Sequence, residues 1–265
     1  MPSRISSCSD CRMLLPDMIA VIVQARMGST RLPGKVLRPI AGRPMLSYLL
    51  ERLRRTRRAS LIVVATTTSE SDDPVVQLCA TEGVLYTRGS ETDVLGRYCD
   101  AINEFNVGTI VRVTSDCPLI DPGLIDQAIM AFLGANRPDY VSNMLAPSWP
   151  YGMAVEVVSA AALAEANRES RDAAEREHVT PFIYRRPQRY KLVSLTMTPN
   201  LSHHRWTVDT PEDFELIRHI LEALYARKAD FDMTDVLALL DEHPSWPLIN
   251  AHMQQKTVNM SAVES

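Results

Sequence analysis

The sequence has no apolar run approaching the roughly 20 residues that a membrane-spanning helix requires, which argues against a resident membrane anchor. It also lacks an excess of positive charge. The formal net charge is −4 and the pI about 5.9, so no global field draws the chain to nucleic acid or to an anionic membrane. Any attraction for a phosphate-bearing ligand must come from local basic clusters. Cysteine is scarce and odd in number, five in 265 residues. Cys79, Cys99 and Cys117 sit in apolar segments, which argues against a disulfide framework. Cys8 and Cys11 form a C-x-x-C with no second ligand pair nearby and no preceding strand, so neither a metal site nor a redox motif is complete. No internal repeat and no Gly/Ser or Pro linker divides the chain.

The hydrophobic fraction of 46% and charged fraction of 23% are ordinary for a globular protein. Residues 1–17 are polar and irregular, and read as a disordered leader or a mis-assigned start before Met18. Residues 18–242 read as one domain and residues 243–265 as an irregular tail. From Met18 onward, short β-branched runs alternate with amphipathic segments. The runs begin at Ile19, Leu61, Val84 and Thr109. The spacing predicts helices over 45–56, from Asp73-Pro74 to Gly83, over 92–106 and over 122–133. Strands alternating with helices at this spacing imply βαβ units. The expectation is an α/β fold with a mixed, mostly parallel sheet and helices on both faces, binding its ligand at the carboxyl ends of the strands. Beyond Tyr140 the pattern becomes α+β. Strands are expected at 154–158, 191–197 and 206–208, and helices at 160–169, 175–186, 211–227 and 234–241.

The loop after the first strand, Gln24-Ala25-Arg26-Met27-Gly28-Ser29-Thr30-Arg31-Leu32-Pro33-Gly34-Lys35, carries three cations, two hydroxyls and two glycines. Glycine lets the backbone turn and present N–H groups, the hydroxyls add hydrogen bonds, and Arg31 and Lys35 can neutralise a polyphosphate. It is not a Walker A loop. The alternative is a solvated surface loop. After the strand at 109–113, Thr114-Ser115-Asp116-Cys117-Pro118-Leu119-Ile120-Asp121 offers a carboxylate beside hydroxyls. That suits Mg²⁺, which takes one or two protein carboxylates and fills its shell with phosphates and water. Asp121, just before Pro122, reads as a helix cap, which leaves Asp116 for the metal. In Arg205-Trp206-Thr207-Val208-Asp209-Thr210-Pro211-Glu212-Asp213, Thr210 reads as the cap, and Asp209 remains as a second candidate carboxylate. The arginine run from Arg52 to Arg58 is expected to be a solvated helix end rather than a nucleic-acid patch. His203 and His204 have no further ligands at metal spacing.

Residues 23–35 resemble the signature of the cytidylyltransferases typified by spore-coat polysaccharide protein F, relatives of the enzymes that make CMP-KDO and CMP-sialic acid. The resemblance extends over residues 18–240, with 89–98, 116–121, 175–181 and 208–213 in the expected order. It implies a Rossmann-like fold of the nucleotide-diphospho-sugar transferase type and a Mg²⁺-dependent transfer of CMP from CTP. The acceptor would be an acidic sugar or small anionic metabolite used in surface polysaccharide. By resemblance, Arg26, Ser29, Arg31 and Lys35 hold the triphosphate, with Gln24 and Gly28 in the same loop. Ala25, Ala65 and Thr66 lie toward the cytosine and ribose, and Thr114 and Ser115 are further nucleotide-binding candidates. Thr114 replaces an amide-bearing residue of the CMP-KDO enzymes. Asp116 and Asp209 match metal positions, and Glu156, Glu177 and His178 match positions near the acceptor. Trp149, Tyr151 and Arg185 are further candidates to contact it. The same resemblance implies a cytoplasmic homodimer. Two rivals are a glycosyltransferase on the same sheet, which would present two carboxylates around one residue where this chain offers only Asp116, and a non-catalytic nucleotide-binding protein.

Overall fold

The computed structural model describes residues 18–134 and 136–253. The leader at 1–17, with Cys8 and Cys11, and the end of the tail at 254–265 lie outside the described residues. Four parallel strands form one half of the sheet: β1 (Ile19–Gln24), β4 (Leu61–Thr67), β5 (Leu85–Gly89) and β6 (Thr109–Thr114). A small hairpin, β2 (Pro39–Ile40) with β3 (Arg43–Pro44), lies between β1 and β4 in sequence. The sheet continues through β7 (Tyr140–Ser142), β8 (Glu156–Ser159) and β9 (Leu192–Ser194), in the order β5-β4-β1-β6-β8-β7-β9. Only β8 runs against the others, so the mixed, mostly parallel sheet is as expected.

Strand β1 shows why its run is apolar throughout. Ile19, Val21 and Val23 enter one core, while Ala20 and Ile22 enter the other, as alternation requires of a strand covered on both faces. The first core is closed by α1 (Met45–Leu53), α2 (Asp73–Glu82), α4 (Pro122–Leu133), α8 (Pro211–Arg227) and α9 (Met233–Glu242). The second is closed by α3 (Val94–Phe105), α5 (Ala160–Glu169) and α7 (Pro181–Tyr184), and the short α6 (Ala173–His178) packs on α3 outside it.

Four expectations need correction. The helix read over 175–186 is two short ones, because Val179 takes a φ of 75° and Pro181 has no N–H to continue the ladder. The strand read at 206–208 is a single bridge between Tyr151 and Arg205. Its amides are divided between two segments, Trp206 N donating to Tyr151 O and Val208 N to Asp116 O, so no ladder forms. The tail past His243 is not wholly irregular: a 3-10 turn at Trp246–Ile249 follows α9, and Trp246 stacks on His219 and His243. The arginine run is a solvated end only in part: Arg54, Arg57 and Arg58 are exposed, but Arg52 is interior. Arg52 has no exposure and donates to the carbonyls of Ile120 (2.8 Å) and Phe231 (3.1 Å). Burial pushes its pKa down to about 10. Arg54 and Arg55 pair with Glu82 and Glu51.

Candidate active site

The chain leaves β1 for β4 and β5 on one side, then returns to place β6 on the other side of β1. The loops after β1 and β6 therefore diverge from adjacent strand ends, which is where open parallel sheets form their ligand crevice. Ser115 N donates to Gln24 O (3.3 Å) and stitches the two loops at their root. A cleft of about 690 Å³ opens there. The loop residues Gln24, Ala25, Arg26, Gly28, Ser29, Thr30, Arg31 and Lys35 form one wall, and Thr114, Ser115, Asp116 and Asp209 form the floor. Glu177 and His178, from α6, close the far side.

The loop keeps its shape through its own backbone. Gly34 N and Ser29 N both donate to Met27 O (3.0 and 2.8 Å), and Gly34 takes the left-handed φ of 68° that aims Lys35 inward. Asp72 braces it from below, accepting from Met27 N (2.6 Å) and from the Thr67 hydroxyl. Asp72 was not anticipated as a site residue, since Asp72-Asp73-Pro74 reads simply as a helix start.

Lys35 is the centre of the arrangement. Its Nζ donates to Asp116 Oδ2 (3.2 Å), Asp209 Oδ1 (3.0 Å) and the Val208 carbonyl (2.6 Å). Burial works against its charge, but Asp116 and Asp209 more than reverse that and raise its pKa. Arg31 reaches the other oxygen of Asp209 at 3.0 Å. Thr114, expected to bind the nucleotide, donates its hydroxyl to Asp116 Oδ1 (2.6 Å). Burial pulls the Asp116 carboxyl upward, yet Lys35 and Thr114 hold it below the ordinary value.

Asp209 is fixed by residues that the sequence reading passed over. Asp213, fully buried, accepts a bidentate pair from Arg205 Nε and Nη2 (both 2.8 Å). It also accepts the backbone N–H groups of Asp209 (3.0 Å) and Thr210 (3.1 Å) and the Asn250 amide (2.8 Å). Thr210 completes a capping box with Asp213, so its cap role stands. Asp121 caps α4 through Gly123 N and Leu124 N, as expected. The only available signal for Asp213 was its position three residues after Thr210, and that indicates a cap rather than an anchor.

Not every candidate faces the cleft. Ala65 and Thr66 are fully buried beneath it. The Ala65 carbonyl accepts Ala25 N (3.2 Å), while Thr66 shares its strand face with Val64, in the core beneath α1 and α2. Glu156 pairs with Arg112 (3.0 Å) and accepts from the Thr180 hydroxyl (2.9 Å), so both of its oxygens are committed to the scaffold. Arg112 in turn donates to the Gln24 side-chain oxygen (3.0 Å). Trp149, Tyr151 and Arg185 do not line the cleft either. His178 is half-buried on the far wall, and burial lowers its pKa, which favours the neutral imidazole.

The oxygens that hold the Lys35 ammonium also constitute a hard donor set. Two carboxylates and a carbonyl converge on one point, a chemistry suited to Mg²⁺ or Mn²⁺. The Lys35 ammonium holds that point, so a cation takes it only once Lys35 turns away toward the phosphates. Among the described residues no group of three or more His, Cys, Asp or Glu gathers as a metal site. A cation here would complete its shell with nucleotide oxygens and water.

A parallel sheet whose central strand ends carry a basic, glycine-bearing loop facing two carboxylates is the layout of a nucleotidyltransferase. The chain belongs to the cytidylyltransferase family, whose model matches residues 20–233, and is by class a CTP-dependent nucleotidyltransferase. It is 35% identical over 236 residues to the spore coat polysaccharide biosynthesis protein SpsF of Bacillus subtilis, covering 85% of this chain and 95% of that one. The solved cytidylyltransferase of Leptospira borgpetersenii matches with a TM-score of 0.84 and 31% identity, over 91% of this chain and 100% of that one. Two more distant structures share the fold. A CMP-2-keto-3-deoxy-manno-octonic acid synthetase solved with CTP has a TM-score of 0.60 and 15% identity, over 78% of this chain and 99% of that one. A Mycobacterium tuberculosis protein solved with manganese has a TM-score of 0.53 and 15% identity, over 76% and 98%. Among the described residues no helix is long and apolar enough to cross a membrane.

Proposed function

We propose that this chain transfers CMP from CTP to an acidic sugar or other small anionic or phosphorylated acceptor, releasing pyrophosphate, as a step toward surface polysaccharide. The observation that carries the reading is the meeting of Lys35, from the loop after β1, with Asp116 and Asp209 in one cleft. An acceptor oxygen attacks the α-phosphorus of CTP. The bond from that phosphorus to the bridging oxygen breaks, and pyrophosphate leaves with the electron pair. Arg26, Arg31 and Lys35 supply donors for the β- and γ-phosphates and neutralise the departing charge, so catalysis is positioning and electrostatics. Asp116 and Asp209 would hold a divalent cation, in this reading Mg²⁺, which when bound adds positive charge beside the reacting phosphate. His178, kept neutral by burial, can accept the acceptor's proton, and Glu177 stands beside it at the mouth.

The CTP complex of the distant synthetase and the name of the Bacillus relative support this reading of substrate and pathway. The manganese complex of the mycobacterial neighbour supports a divalent cation. The reading also takes the protein to be a cytoplasmic homodimer. Pyrophosphate release with each of the four nucleoside triphosphates, Mg²⁺ and a panel of sugar acids and phosphorylated polyols tests it. Release is expected with CTP and one acceptor class. Release only with UTP or GTP would overturn the base assignment, and tight CTP binding without release from any pair would favour a non-catalytic binding protein.

A further inference from the structure

Arg97, in the first turn of α3, lines the cleft but pairs with no carboxylate among the described residues. It is 2% exposed. Its hydrogen bond runs from Nη1 to the Ala65 carbonyl at 3.3 Å, and Nε is sealed from water with no acceptor. A guanidinium buried without a counterion is costly, and burial lowers its pKa accordingly. The space it occupies is kept open by Gly89, where a Cβ would stand 2.7 Å from Arg97 Cγ.

Its position within the cleft is informative. Ala25 N and Arg97 Nη1 share the Ala65 carbonyl, so the guanidinium lies on the β4 side of the loop's root. Lys35 lies on the β6 side, with Asp116. A nucleotide whose triphosphate is held at Lys35 therefore extends its base toward Ala25, Val94 and Arg97. A guanidinium presents donors and no acceptor. Cytosine offers two adjacent acceptors, O2 and N3, whereas uracil carries an N–H donor at position 3.

We propose that Arg97 reads the base: the terminal Nη–H groups of its guanidinium donate to N3 and O2 of cytosine and set CTP above UTP. The inference rests on the CTP reading given above. Facing uracil, the same donors meet the N3–H, and a buried donor is left unpaired.

Equilibrium titration with CTP, UTP and 3-deazacytidine triphosphate, in which C–H replaces N3, tests this. The wild-type protein is expected to bind CTP about 10- to 100-fold more tightly than either of the others. Arg97→Met should lose that advantage on CTP while changing UTP little, bringing the CTP:UTP ratio close to one. Equal wild-type affinity for CTP and its 3-deaza analogue overturns the proposal, whether or not the variant folds. So does an Arg97→Met protein that keeps the wild-type ratio or weakens both nucleotides equally, since that identifies a purely structural tie to Ala65. A wild-type protein that binds no CTP overturns the CTP reading itself and this inference with it; CTP binding with an unchanged ratio overturns this inference alone.

Discussion

Replacing Lys35 with methionine removes the ammonium between Asp116 and Asp209 while keeping most of the side-chain volume. The lysine side chain is 10% exposed, Asp209 15% and Asp116 27%. Breaking a fully buried ion pair from one side costs about 3–5 kcal/mol. Asp116 keeps some contact with water, and Asp209 keeps Arg31 and Arg205, so about 2–4 kcal/mol is expected here. For a domain of this size that corresponds to a melting temperature lower by roughly 4–16 °C. The pH dependence separates this mechanism from simple loss of packing. Asp116 is depressed below its ordinary 3.8, so it stabilises the fold above that value and loses the contribution as pH falls through the folded value. Lys35 is raised above its ordinary 10.5, so its contribution is complete below 10.5 and is lost as pH climbs through the folded value. Without Lys35, burial of Asp116 favours the neutral acid, which protonates earlier on acidification. The deficit of Lys35→Met relative to wild type should therefore be largest near neutrality and shrink toward about pH 4. Urea denaturation across that range reads it. A variant as stable as the wild type at pH 7, or one whose deficit stays constant down to pH 4, would refute the reasoning.

Three other substitutions probe separate parts of the account. Asp116→Asn keeps the volume and the Thr114 contact but removes the charge. Turnover should fall at least about 100-fold with an unchanged circular dichroism spectrum, and a wild-type rate would remove Asp116 from the mechanism. Glu156→Gln leaves buried Arg112 without its counterion, so stability should drop by about 1–3 kcal/mol while the acceptor KM stays put; a tenfold shift in KM with unchanged stability would return Glu156 to the acceptor pocket. Gly152→Ala places a Cβ 2.4 Å from the Trp206 carbonyl carbon at a φ of +113°. That should destabilise the protein by about 3 kcal/mol or more in a denaturant titration, and a neutral result would show that the 151–152 and 205–207 segments can separate.

Where a local pattern determines local structure, the sequence was readable. The β-branched runs of β1 and β4 can only be strands covered on both faces, and Asp121-Pro122 and Thr210-Pro211 can only open helices. Loop residues 24–35 are polar, cationic and glycine-bearing directly after a strand, so proposing them as the phosphate-binding loop needed no tertiary information. What could not be read depends on residues brought together from far apart. Asp213 has the spacing of a capping-box partner and is one, but its grip on Arg205, Asp209 and Asn250 is a tertiary fact. Glu156 carried a family position yet is consumed by Arg112, a neighbour across the β6–β8 pairing that no periodicity exposes. Arg52 sits in an arginine run that looks solvated, and only the packing of α1 against the Ile120 and Phe231 carbonyls shows that it is interior.

The measurement closest to the central claim follows the phosphorus atoms. CTP labelled in separate samples at the α- and γ-phosphates is incubated with the protein, a divalent cation and the acceptor that supports release. Attack at the α-phosphorus beside Lys35, Asp116 and Asp209 predicts that the α label ends in the CMP-linked product and the γ label in pyrophosphate. Transfer of the γ label to the acceptor, or its appearance as free phosphate with CDP left behind, would contradict the account.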